Sequence, residues 1–127
     1  MALKDFRPMM ERCSNCLGCK WIPFDKIQSQ RFGENCPINL YYEFHIYSAR
    51  GKFQAAQGLL DGDYGYTDAL LKATQACTSC GACDISCKVC RYNLEPLDFN
   101  IELKNDAAMA GHMLPIQKEI HKNLKKE

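Results

Sequence analysis

Apolar residues along the chain recur mostly at helical spacing. Leu40, Phe44 and Tyr47 stand four and three apart and predict one face of a helix that opens at Pro37, a residue suited to a first helical position. Arg50-Gly51 predicts a break. Phe53, Ala56 and Leu60 begin a second stretch, which ends near Asp61-Gly62-Asp63; these acids flank a turn and do not read as a catalytic pair. Thr67 predicts the N-cap of a third helix that carries Leu70, Leu71 and Thr74 down to Cys77. Leu97, Phe99, Ile101 and Leu103 alternate as a strand would, but Pro96 and the run from Ala107 to Ala110 favour a helix, stopped by Gly111. Pro115 opens a last helix, whose Ile116, Ile120 and Leu124 lie four apart on an otherwise charged segment. The expectation is an all-α fold in one domain over residues 1–127, its stripes packed in a core, with residues 112–127 a C-terminal docking helix.

Charge excludes more than it suggests. Sixteen Lys and Arg against fifteen Asp and Glu leave a net charge of +1, which is no footprint for nucleic acid. No apolar run approaches the ~20 residues that span a bilayer. Lys4, Asp5 and Arg7 interrupt the apolar core that a signal peptide would need, so a cytoplasmic location is expected.

Nine cysteines change the picture. Their odd number and the lack of an export signal argue against a disulfide framework. Cys13, Cys16 and Cys19 are three apart, and so are Cys77, Cys80 and Cys83, forming an internal repeat, CSNCLGC and CTSCGAC. Each triplet has a glycine between its second and third cysteine, Gly18 and Gly81, which lets backbone approach a bulky inorganic centre.

The second triplet continues to Cys87 with the C-x2-C-x2-C-x3-C spacing of a bacterial-type [4Fe–4S] site, whose fourth cysteine serves the other cluster of a two-cluster protein. The first triplet finds its later cysteine at Cys36, just before Pro37. A crossed assignment follows: Cys13, Cys16, Cys19 and Cys87 hold one [4Fe–4S] cluster, and Cys77, Cys80, Cys83 and Cys36 hold the other. Cys90 is left over and is read as a plain thiol, with replacement of Cys87 as a ligand, at Cys83-x6-Cys90, the alternative; Lys88 stands where the motif usually has proline after Cys87. Zinc is the competing metal. It takes cysteines in pairs, often with histidine, and His45, His112 and His121 lie far from the triplets in sequence. Lys20 and Lys88, each next to a ligand cysteine, and Trp21 are candidates for tuning the clusters.

These motifs together carry a resemblance. The first triplet, the segment RFGENCP from Arg31, the segment YSARGK from Tyr47, the second triplet and the segment LEPL from Leu94 resemble the two-cluster module of heterodisulfide-reductase-type iron–sulfur proteins, the C subunit and the N-terminal half of the D subunit. The same α-helical ferredoxin module occurs in succinate dehydrogenase and glycolate oxidase iron–sulfur proteins. The likeness covers about residues 10 to 120. Many relatives continue into a pair of cysteine-rich CCG domains, which these 127 residues do not contain. The resemblance thus implies an electron-relay subunit of an anaerobic oxidoreductase complex, heterodisulfide-reductase-like or benzoyl-CoA-reductase-like. Its partners would be CCG-domain, flavin-containing or metal-cofactor subunits.

No nucleophile–base pair and no nucleotide fingerprint stand out, so the chain is expected to be a non-catalytic electron carrier. A zinc-binding interaction module is the alternative.

Overall fold

The computed structural model describes residues 2–22, 29, 33–89 and 93–126. Seven α-helices are found among them: α1 (Arg7–Arg12), α2 (Pro37–Tyr42), α3 (Ala49–Asp61), α4 (Asp68–Ala76), α5 (Ala82–Val89), α6 (Pro96–Met109) and α7 (Pro115–Leu124). Short 3₁₀ turns precede α1, close the first cysteine triplet at Gly18–Lys20, and link α2 to α3 at His45–Tyr47. The described residues contain no strand; the nearest approach is one antiparallel bridge between Trp21 and Glu34. The chain is therefore mostly helical, as the periodicity predicts. None of the described helices is long and apolar enough to cross a membrane.

Helix ends follow their local chemistry. The Thr67 hydroxyl accepts from Leu70 N–H at 3.2 Å and caps α4. Gly62, at φ +79°, ends α3, and Gly111, at φ +81°, follows the end of α6. Pro96 and Pro115 occupy first helical positions, where their missing N–H costs nothing. In α6 the buried residues include Phe99, Leu103 and Ala107, four apart, while Ile101 is half exposed. The alternation read through Ile101 is therefore incidental, and helical period decides.

Two expectations are corrected. Arg50-Gly51 is not a break, because α3 begins at Ala49 and runs through both residues. Ser48 caps it, its hydroxyl accepting from Gly51 N–H at 3.1 Å. Glycine is required here by a close approach: a Cβ on Gly51 would sit 2.1 Å from the carbonyl oxygen of His45. Second, Leu40, Phe44 and Tyr47 do not share one helix. Glu43, at φ +53°, ends α2, which turns Leu40 and Phe44 out to 56% and 69% exposure. Part of that aromatic stripe is surface, with Tyr42 stacked on Tyr47 at 4.1 Å between ring centroids.

The core draws on α1, α3 and α6. Leu3, Phe6, Met10, Phe53, Ala56, Leu94, Phe99 and Leu103 form its buried cluster. Phe99 meets Phe53 and Phe6 edge-on at 4.6 and 6.1 Å, the arrangement ring quadrupoles favour. This packing fixes the start of α3 against the start of α6, where both cysteine loops converge.

Candidate functional site

The sequence repeat is a conformational repeat. Cys13 and Cys77 are the extended C-caps of α1 and α4. Two residues on, Asn15 and Ser79 take positive φ (63° and 55°), and two further on so do Leu17 and Gly81 (61° and 75°). Cys19 then enters the Gly18–Lys20 turn, and Cys83 enters α5. Backbone alternating into the left-handed region gathers successive N–H groups on one side, a concavity suited to anions and iron–sulfur groups. The left-handed residue of the first loop is Leu17, not Gly18; the Gly18 N–H instead lies 3.4 Å from Cys16 Sγ.

The two loops are clamped together. Asn35 N–H donates to the Lys20 carbonyl at 2.9 Å, bringing Cys36 back beside the first loop. The Asn35 amide donates to the Ala82 carbonyl at 3.0 Å and also to the Ser86 hydroxyl. Ser86 in turn donates to the Trp21 carbonyl at 2.9 Å. Lys104 donates to the Cys77 carbonyl and, at 3.0 Å, to the Ser79 hydroxyl, which holds the second loop on α6.

Two cavities result. One is lined by Cys36, Cys77, Cys80 and Cys83 together with Ile38, Leu97 and others. The second is lined by Cys13, Cys16, Cys19 and Cys87 with Leu17, Phe53 and Pro96 among its walls. The eight cysteines singled out in the sequence thus divide into two sets of four, each mixing the two halves of the chain. Cys83 and Cys87 stand one turn apart on α5, so that helix runs from one cavity to the other. All eight are free thiols, with Cys16 and Cys80, the middle members of the triplets, exposed. Cys90, Arg31 and Phe32 lie outside the described residues. Among the described residues, no three His, Cys, Asp or Glu side chains converge as ligands of a single metal ion.

Burial governs the thiols. It pushes Cys83 up to about 12, aided by the nearby Asp84 carboxylate and by Cys19, Cys77 and Cys80. It pushes Cys19 up to about 11, opposed by a hydrogen bond from the Arg50 backbone N–H. Cys87 is raised by burial and held back by the Leu94 N–H. Such thiols stay protonated unless a metal takes the sulfur, so binding there would release protons.

Spacing alone did not reveal two buried cations. Arg50 lines the Cys87 cavity and Lys52 the Cys36 cavity. Lys20, Trp21 and Lys88, the neighbours that adjacency suggested, line neither; Lys20 Nζ stands 5.9 Å from the centre of the Trp21 ring. The signal was the Ser48 cap, which starts a helix two residues before Arg50.

Comparison of the chain with family models, with curated proteins and with solved structures returns no match.

Proposed function

We propose that the chain holds two [4Fe–4S] clusters and relays single electrons between partner redox subunits. One cluster would sit on Cys13, Cys16, Cys19 and Cys87, the other on Cys77, Cys80, Cys83 and Cys36. One observation carries the reading: each cavity gathers three cysteines from a tight loop and a fourth from the opposite half of the chain. A cubane asks for this donor set, since one loop can cover three irons and the fourth iron faces away. Zinc asks for something else, four donors within about 2.0–2.3 Å of one point. The Arg50 Nε, buried without an acceptor among the described residues, also suits an anionic group in the Cys87 cavity.

Bound clusters would supply reversible one-electron chemistry. The chain's part is to hold sulfurs, aim N–H groups and exclude water. Phe53, Leu17 and Pro96 shield one cavity, Ile38 and Leu97 the other. Cys16 and Cys80 bring an edge of each cavity to the surface, where a partner can approach. The exposed Leu40, Tyr41 and Phe44, and the apolar stripe Ile116, Ile120 and Leu124 on α7, are the contact surfaces this reading assigns to partner subunits. Those partners, of CCG-domain, flavin or metal-cofactor type, would carry the catalytic step of a heterodisulfide-reductase-like or benzoyl-CoA-reductase-like complex.

Anaerobic purification followed by metal and sulfide analysis tests the reading. The expected result is about eight irons and about eight acid-labile sulfides per chain. A colourless protein with zinc and little iron would overturn it in favour of a zinc-binding interaction module.

A further inference from the structure

The first turn of α3 lies between the two cavities. Ala49 lines both, Arg50 lines the Cys87 cavity, and Lys52 lines the Cys36 cavity. Both cations are buried, Lys52 at 2% and Arg50 at 8% exposure. Lys52 Nζ donates to the Tyr47 carbonyl at 2.8 Å, and Arg50 Nε finds no acceptor among the described residues. The ion pairs found among the described residues both belong to Arg7, so no carboxylate among those residues pairs with either cation. The N-terminal end of α3 adds partial positive charge at the same place. A buried cation without countercharge is strongly destabilising, so this cluster of positive features calls for negative charge in the cavities beside it.

On the function proposed above, the missing countercharge in each cavity is a thiolate-held cluster. We infer that Arg50 and Lys52 set the reduction potentials of the two centres separately, Arg50 acting on the Cys87 centre and Lys52 on the Cys36 centre. Each centre gains one electron on reduction and becomes more negative, with no bond made or broken. A fixed cation beside it favours that reduced state and raises the potential. Each is a positioning charge in the cavity wall, not a ligand. Two cations on opposite sides of one helical turn give each centre its own adjustment.

The test is an anaerobic, dithionite-driven titration of the iron-loaded chain, followed by electron paramagnetic resonance, with iron and sulfide measured on every sample. Cys36→Ser and Cys87→Ser assign the signals. Lys52→Met is expected to disfavour reduction of the Cys36 centre by about tenfold, a fall of ~59 mV for one electron, and to leave the other centre unmoved. Arg50→Met is expected to do the converse. Lys52→Arg and Arg50→Lys, which keep the charge, should restore most of each potential. Lys88→Met, exposed and outside both cavity walls, should move neither. Equal shifts of both centres by either methionine variant, no shift by either, or charge-retaining swaps as damaging as methionine would overturn the inference while leaving the clusters in place. A wild-type chain without iron would overturn the electron-relay reading, and this inference with it.

Discussion

The loop from Cys13 to Cys19 and the loop from Cys77 to Cys83 follow the same backbone path with different residues. At the fifth position of each, the first loop forces Leu17 to φ +61° where the second uses Gly81 at φ +75°. A leucine in that region costs roughly 1–2 kcal/mol, a glycine almost nothing. The first loop carries this strain because Leu17 also walls the Cys87 cavity, whereas at Gly81 an added Cβ would meet Leu97 Cδ2 at 3.3 Å. Backbone shape is common to both sites, and side-chain identity is free to adapt to each cavity's neighbours. The same division appears in the cations, a guanidinium on one side and an ammonium on the other.

The largest expected effect treats the loops as equal. If the chain holds the two proposed clusters, stripping iron anaerobically should remove the countercharge from both cavities and the link between the chain's halves, so helicity should fall cooperatively. Far-ultraviolet circular dichroism reads this directly, and an iron-free chain that keeps its full helical signal contradicts it. Single cysteine changes should then separate the sites. Cys87→Ser, although it lies after the second triplet, should lose the centre at Cys13–Cys19 and keep the other. Cys36→Ser should do the reverse, each leaving about four of about eight irons. Loss of the neighbouring loop's own centre would show that the crossing is wrong.

A third change should damage both sites together. Gly51→Ala drives a Cβ against the His45 carbonyl at 2.1 Å, backbone that can yield only by moving the start of α3. A destabilisation of about 3 kcal/mol or more is expected by denaturant titration of the loaded protein. On the same helix, the three nearest atoms to a Cβ added at Gly58 belong to the Tyr64 side chain, which is 44% exposed and can move away at the cost of its hydroxyl's 2.8 Å hydrogen bond to the Ala55 carbonyl. Gly58→Ala should stay within about 1 kcal/mol of wild type, helped by alanine's better helix propensity. The smallest effect sharpens the loop comparison itself. Gly81→Ala should cost about 1–2 kcal/mol, and Leu17→Gly should change stability by less than about 1 kcal/mol, relieved strain offsetting lost packing. Equal costs in the two directions would mean the loops do not share one backbone requirement.

Much of this was legible in the residues. The triplets, the company Cys36 keeps with the second triplet and Cys87 with the first in lining a cavity, and helices α4, α6 and α7 follow from spacing, caps and prolines. The break assigned to Arg50-Gly51 did not hold, because glycine has two meanings, a helix stop or a close contact. Only the fold says that the His45 carbonyl passes there. The missed start of α3 hid Arg50 and Lys52, since burial of a cation depends on which helix face it occupies. The exposure of Leu40 and Phe44 was hidden for a similar reason. Glu43 gives no local warning that it will adopt positive φ.

The interleaving of the two halves also bears on how the protein is made. Neither cavity has its walls until the segment from Cys77 to Cys87 has left the ribosome. At ~5–20 residues per second, the first triplet therefore waits several seconds as an open, unshielded trio of thiols. On the proposed two-cluster reading, loading of metal would be tied to the late stage of translation, and the nascent chain would be most vulnerable to oxidation during that interval. Slowing synthesis in the presence of oxygen should lower the yield of loaded protein more than it lowers the yield of chain.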